Sequence, residues 1–178
     1  MKLIIQVFLI FLTQSSYGQV KTNAEIQDSI NHQCTHRNKF TVAERANNYP
    51  FNNSKEIRIV SINKSLGDKF IESNQIDLSL VRESVILNNS QIDSLTDILY
   101  NIGYDGTFLY YSRGCYYPKN AILFIDTAGQ AFAFIELSFQ CSGFRISSNK
   151  VTPFKFCNEK YDLLKSLFRK SGILYGTD

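Results

Sequence analysis

The segment that most limits how this chain can fold is a hairpin that is apolar on both sides. Asn120 to Asp126, the turn Thr127-Ala128-Gly129 and Gln130 to Phe139 read as two strands joined by a tight connection. Side chains alternate along a strand, so the reading puts Ile122, Phe124, Phe132 and Phe134 on one face and Leu123, Ile125, Ile135 and Leu137 on the other. A hairpin apolar on both faces has to be covered on both. It therefore belongs in the middle of a sheet.

The flanking sequence supplies the covers. Residues 91 to 102 carry Ile92, Leu95, Ile98, Leu99 and Ile102 at helical spacing behind a Ser90 cap, with Asp93 three residues later and Gly103 placed to end the helix in the left-handed conformation. A closing helix from Glu159 to Ser171, capped by Asn158, has the inner stripe Tyr161, Leu164, Leu167 and Phe168, with Gly172 and Ile173 as its terminating pair. Glu56 to Asn63 and Val81 to Leu87 read as further strands around a polar, glycine-containing stretch. Thr22 to Cys34 carries a narrow stripe of Ile26, Ile30 and Cys34, and Thr41-Val42-Ala43-Glu44 is a capping-box start for a short helix closed by Pro50. These elements predict an α+β domain: an antiparallel sheet of about 4–5 strands with the 120–139 hairpin at its centre, packed against helices 91–102 and 159–171.

The N-terminus is set apart from this pattern. Lys2 precedes Leu3 to Leu12, a run broken only by Gln6, and Ser16 and Gly18 are small residues at the two positions that precede a signal-peptidase cut. About ten apolar residues cover roughly 15 Å as a helix, half of a hydrocarbon core of roughly 30 Å. Residues 1–18 are thus expected to be a cleaved secretory signal, leaving 19–178 as one globular domain without a membrane span. Loss of Lys2 takes the net charge from +3 to +2, and no long run of like charge provides a footprint for nucleic acid.

An exported chain with four cysteines points to disulfides, and four cysteines allow three pairings. A three-residue turn at 127–129 pairs 126 with 130; carried outward, that register sets Cys115 opposite Cys141 on the same face as Leu123 and Leu137. Pro118, which lacks a ladder donor, is the counter-signal. Cys34 and Cys157 are then the second pair. The competing chemistry is a metal at His32-x-Cys34-x-His36, or a catalytic thiol at Cys115. On the helix expected there, His32 and His36 share a face that Cys34 does not, and nothing in the spacing directs a histidine onto Cys115. No cofactor is expected.

No phosphate loop, serine elbow, zinc-protease helix or calcium loop is present. Glu136 interrupts an apolar strand and falls beside Phe134 and Ser138 on the face assigned to Phe124. If covered, it is a candidate acid or ligand contact; the alternative is a pair with Arg113 or Arg145. Tyr110, Tyr111, Arg113, Cys115, Tyr116 and Tyr117 form an aromatic stretch suited to stacking against a sugar or a peptide. Tyr110, Arg113, Tyr116, Tyr117 and Glu136 are therefore the candidate ligand surface.

The stretch Cys115-Tyr116-Tyr117-Pro118-Lys119-Asn120-Ala121-Ile122-Leu123-Phe124, the Asp126-Thr127-Ala128-Gly129 turn and Ile135 to Cys141 resemble a group of small uncharacterised exported bacterial proteins that share a Cys-x-x-Pro hairpin segment ending in Cys. Ser138 stands where members of that group often have a further cysteine, which weakens any metal or redox role carried over from them. The resemblance implies a bacterial periplasm or cell surface and brings no activity with it. The expectation is an exported, non-enzymatic domain that binds an unknown protein or small ligand; the alternative is a thiol- or metal-dependent enzyme centred on Cys115, Cys141 and Glu136.

Overall fold

The computed structural model describes residues 21–31, 33–63, 70–72, 75–106 and 115–178. The expected leader, His32, Tyr110 and Arg113 lie outside these residues. The described part is an α+β fold built on a five-stranded antiparallel sheet. In chain order the elements are α1 (Asn23–Asn31), β1 (Thr35–His36), α2 (Val42–Ala46), β2 (Glu56–Ile62), β3 (Ile71–Glu72), β4 (Gln75–Ile76), β5 (Val81–Ile86), α3 (Asn89–Tyr100), β6 (Ile102–Gly103), β7 (Asn120–Ile125), β8 (Ala131–Ser138), β9 (Gly143–Ile146) and α4 (Asn158–Lys170). The main sheet runs β5-β2-β7-β8-β9, while β1 pairs with β6 and β3 with β4.

β7 is the third of the five strands, and all six of its residues are buried. The hairpin thus sits where its two apolar faces require. One face packs Ile57, Ile59, Ile122, Phe124, Ile135 and Leu137 under Leu95 and Leu99 of α3 and Tyr161, Leu164 and Phe168 of α4. The other packs Val60, Ile62, Leu123, Ile125 and Phe134 under Phe70, Ile76 and Leu80. Each such side chain contributes roughly 1.5–3 kcal/mol on burial, and truncating Phe124 to Ala would cost about 3–5 kcal/mol.

The register departs from a plain hairpin by one residue. Ile125 pairs with Ala131, but Phe124 pairs with Ala133, so Phe132 is an extra residue on β8 and the ladder beyond it is shifted. The period of two then reverses the faces. Phe132 packs with Ile122 and Phe124 as expected, yet Ile135 and Leu137 join them and Phe134 crosses to the Leu123 face. Glu136 therefore lies on the Leu123 side, paired with Ala121, and not on the Phe124 side.

Three helix ends differ from expectation. α3 is capped by Asn88, which accepts from the Gln91 amide while the Gln91 side chain accepts from the Asn88 amide; this is the same capping box started two residues earlier. Asp93 is left free to pair with the buried Arg45. Gly103 does not end α3 in the left-handed region but belongs to β6, where an added Cβ would stand 2.7 Å from Lys155 Cβ. The cap of α4 is Cys157, with no side-chain bond, and Asn158 instead donates to Asp28 Oδ1 at 2.9 Å. The far end follows expectation: Ile173 N–H reaches Phe168 O and Gly172 N–H reaches Arg169 O, with Gly172 at φ +102. No helix of the described residues is long and apolar enough to cross a membrane.

Candidate functional site

The tight turn between β8 and β9 sets Glu136 directly opposite Arg145. Arg145 Nε donates to Glu136 Oε2 at 3.0 Å, and the Tyr116 hydroxyl donates to the same oxygen at 3.0 Å. Glu136 is 1% exposed, and its other oxygen is buried with no hydrogen-bond partner among the described residues. Burial, and then the adjacent carboxylate, push the Tyr116 hydroxyl well above the ordinary tyrosine range, so it stays a donor at any physiological pH. The Tyr116 residue as a whole is nevertheless 45% exposed. Its polar tip is anchored inward while much of its surface faces solvent.

The segment that carries Tyr116 is tied down at both sides. Cys115 is joined to Cys141 in the β8–β9 turn, with the Cα atoms 5.6 Å apart. The Tyr117 amide donates to Ser138 Oγ at 3.2 Å. The bridge does not close across the ladder, because β7 begins at Asn120 and β8 ends at Ser138; it joins the two irregular segments just beyond. The bulge also moves the extrapolated register off by one, so strand pairing does not place these cysteines opposite each other. Gly143 lies under Tyr116, where a Cβ would meet Cδ2 at 3.0 Å.

Beside Tyr117 a cavity of about 340 Å³ is lined by Tyr117, Lys119, Phe139, Gln140, Gly176 and Asp178. Lys119 Nζ stands 5.4 Å from the Tyr117 ring and 5.6 Å from that of Tyr175, and the Arg82 guanidinium lies 4.2 Å from the Tyr175 ring. The 175–178 segment is held here by Asn120 Nδ2, which donates to Tyr175 O at 3.0 Å, and by Glu83, which accepts from the Tyr175 amide.

The fold therefore brings together Cys115, Cys141, Tyr116, Tyr117 and Glu136 from the candidate residues and adds Arg145, Ser138 and Lys119. Cys34 and Cys157 are bonded to each other at the N-terminus of α4. His36 pairs with Asp97 at 3.0 Å, and the described residues contain no cluster of three metal-ligating side chains.

Sequence reasoning missed Lys160. It is fully buried, donates to Leu99 O at 2.8 Å and to Lys155 O, and lies 5.5 Å and 5.4 Å from the Phe154 and Phe156 rings. Leu99 O is one of the carbonyls left free at the end of α3, so the ammonium serves there as a cap. Burial, reinforced by the Arg37 charge, brings its pKa down to about 7. The available signal was spacing: Lys160, Leu164, Leu167 and Phe168 share one helical stripe.

Compared with known proteins, the chain matches no family model, and no curated protein or solved structure matches it.

Proposed function

We propose that this is an exported, disulfide-stapled binding domain that takes a carbohydrate segment on the shelf formed by Tyr116 and Tyr117. The observation that carries this reading is the Tyr116 side chain, whose hydroxyl is fixed on a buried, Arg-paired carboxylate while the residue stays 45% exposed. A ring held in one rotamer has little freedom left to lose on binding, which is how aromatic anchors gain affinity. The adjoining Lys119, Gln140 and Asp178 supply a donor, an amide and a carboxylate for hydroxyl groups. Two disulfides are consistent with an oxidising location, and with the reading of residues 1–18 as a signal they support a bacterial periplasm or cell surface.

The test is retention of the purified protein on envelope polysaccharide and on a glycan array. Tyr116→Ala and Tyr117→Ala should each weaken binding by about tenfold or more, the range for loss of an aromatic contact. Retention unchanged by both, or retention on peptide and not on glycan, would sink the carbohydrate reading.

The second reading, a thiol- or metal-dependent enzyme centred on Cys115, Cys141 and Glu136, is favoured only by the closeness of those residues. All four cysteines are bridged, and Glu136 Oε2 is already occupied by two donors. Thiol titration with elemental analysis separates the two: a low-pKa thiol or stoichiometric metal would support the enzyme.

A further inference from the structure

A separate pocket of about 190 Å³ opens between the β1–β6 pair and the segment that leads into α4. Its charged lining consists of Arg37, Lys39 and Lys155, and no acidic side chain lines it among the described residues. The rest is largely apolar and aromatic, with Phe40, Tyr100 and Phe154 prominent.

Two donors on its lining residues are unspent among the described residues. Arg37 Nε is buried without a hydrogen-bond partner among the described residues, and so is the Tyr100 hydroxyl. Burial raises the Tyr100 pKa, so that hydroxyl remains a proton donor. Buried polar groups in native proteins are almost always paired, and two orphaned donors on residues that line one pocket with three cationic side chains mark a place where an acceptor is wanted. Asp105, 62% exposed and outside the lining, pairs with both Arg37 and Lys155, the latter at 3.1 Å. It acts as a resident counter-ion at the rim.

We propose that this pocket is a second binding site, independent of the Tyr116 shelf, for a small carboxylate carried on an apolar body of about benzene size. The charge follows from Arg37, Lys39 and the orphaned donors, since a guanidinium fork suits a carboxylate. The body follows from the aromatic walls and the volume, because a cavity of about 150 Å³ already accommodates benzene. The Cys34–Cys157 disulfide holds the two walls together: Cys34 precedes Arg37 by three residues and Cys157 follows Lys155 by two.

The experiment is an NMR titration of the purified protein with three probes: benzoate, its neutral analogue benzyl alcohol, and inorganic phosphate. Benzoate should move the amide signals of Lys39, Asn101 and Gly103 with a Kd in the millimolar range or below, and the other two should bind about tenfold more weakly, as loss of a charged hydrogen bond or of the apolar body requires. Arg37→Gln and the exposed-site variant Lys39→Gln should each weaken benzoate, and Asp105→Asn, which releases Arg37 and Lys155, should strengthen it. Equal binding of benzyl alcohol or phosphate, no shift up to about 10 mM benzoate, or benzoate binding unchanged in both basic-residue variants would overturn the proposal.

Discussion

Glu136 on β8 and Arg145 on β9 form a cross-strand ion pair of unequal burial, the carboxylate side chain 2% and the guanidinium 48% exposed, with Nε to Oε2 at 3.0 Å. Removing the outer partner strands the inner charge. Arg145→Met should therefore destabilise the fold by about 2–4 kcal/mol in urea denaturation, and Glu136→Gln on the same background should recover much of that loss. Strictly additive effects would show that the two residues do not act as a pair.

The anchoring of Tyr116 predicts a graded series. Tyr116→Phe keeps the ring and loses the bond to Glu136, so ligand retention should fall less than in Tyr116→Ala. Gly143→Ala places a methyl 3.0 Å from Cδ2 of the ring and must displace it. Binding should weaken while the unfolding free energy changes by less than about 1 kcal/mol. A Gly143→Ala protein that binds normally would show that the ring's position is not what the ligand reads.

Lys160 makes stability depend on pH in a definite direction. Its pKa falls from the ordinary 10.5 to about 7 on folding, so between those values the unfolded chain holds a proton that the folded chain has lost. Stability contributed through this group then rises with pH across that window, by up to about 1.4 kcal/mol per unit, and is lowest below pH 7. Lys160→Met should flatten the slope measured by chemical denaturation between about pH 7 and about pH 9. An unchanged slope in the variant would show that another group carries the dependence.

The two disulfides close loops of very different length, with sequence separations of 123 for Cys34–Cys157 and 26 for Cys115–Cys141. Chain-entropy arithmetic gives about 5 and about 3.5 kcal/mol respectively. Paired Cys→Ser variants should lose stability in that order in thermal unfolding. Their functional effects should separate as well: loss of Cys34–Cys157 should weaken benzoate, and loss of Cys115–Cys141 should weaken retention on the Tyr116 shelf.

What was legible in the sequence was local. The Thr41–Glu44 box, with the Glu44 carboxylate taking the Thr41 amide, and the Gly172–Ile173 stop of α4 stand as read, since each involves groups a few residues apart. The hairpin's place at the centre of the sheet also followed from its own composition. α3 shows the limit of such reading: Asn88 with Gln91 and Ser90 with Asp93 both suit a helix start, and the buried Arg45 engages Asp93 from 48 residues away.

The site was half visible for the same reason. Tyr116, Tyr117 and Glu136 were recognisable as unusual residues in their own segments, but the shared hydrogen bonds depend on Arg145 arriving from β9 and on the Cys115–Cys141 link. The pocket around Arg37, Tyr100 and Lys155 draws on three segments separated along the chain.

By itself, the sequence determined the class of fold, the central hairpin, the approximate helices and the residues available for a site, because caps, periodicity and turn chemistry act within a few positions. Only the tertiary structure decided the bulge at Phe132, the face on which Glu136 lies and the burial of Lys160. One extra residue in a ladder of period two reverses every side chain beyond it. Whether the ladder accepts that residue, and whether a lysine finds two carbonyls under a helix, is set by packing across the whole domain.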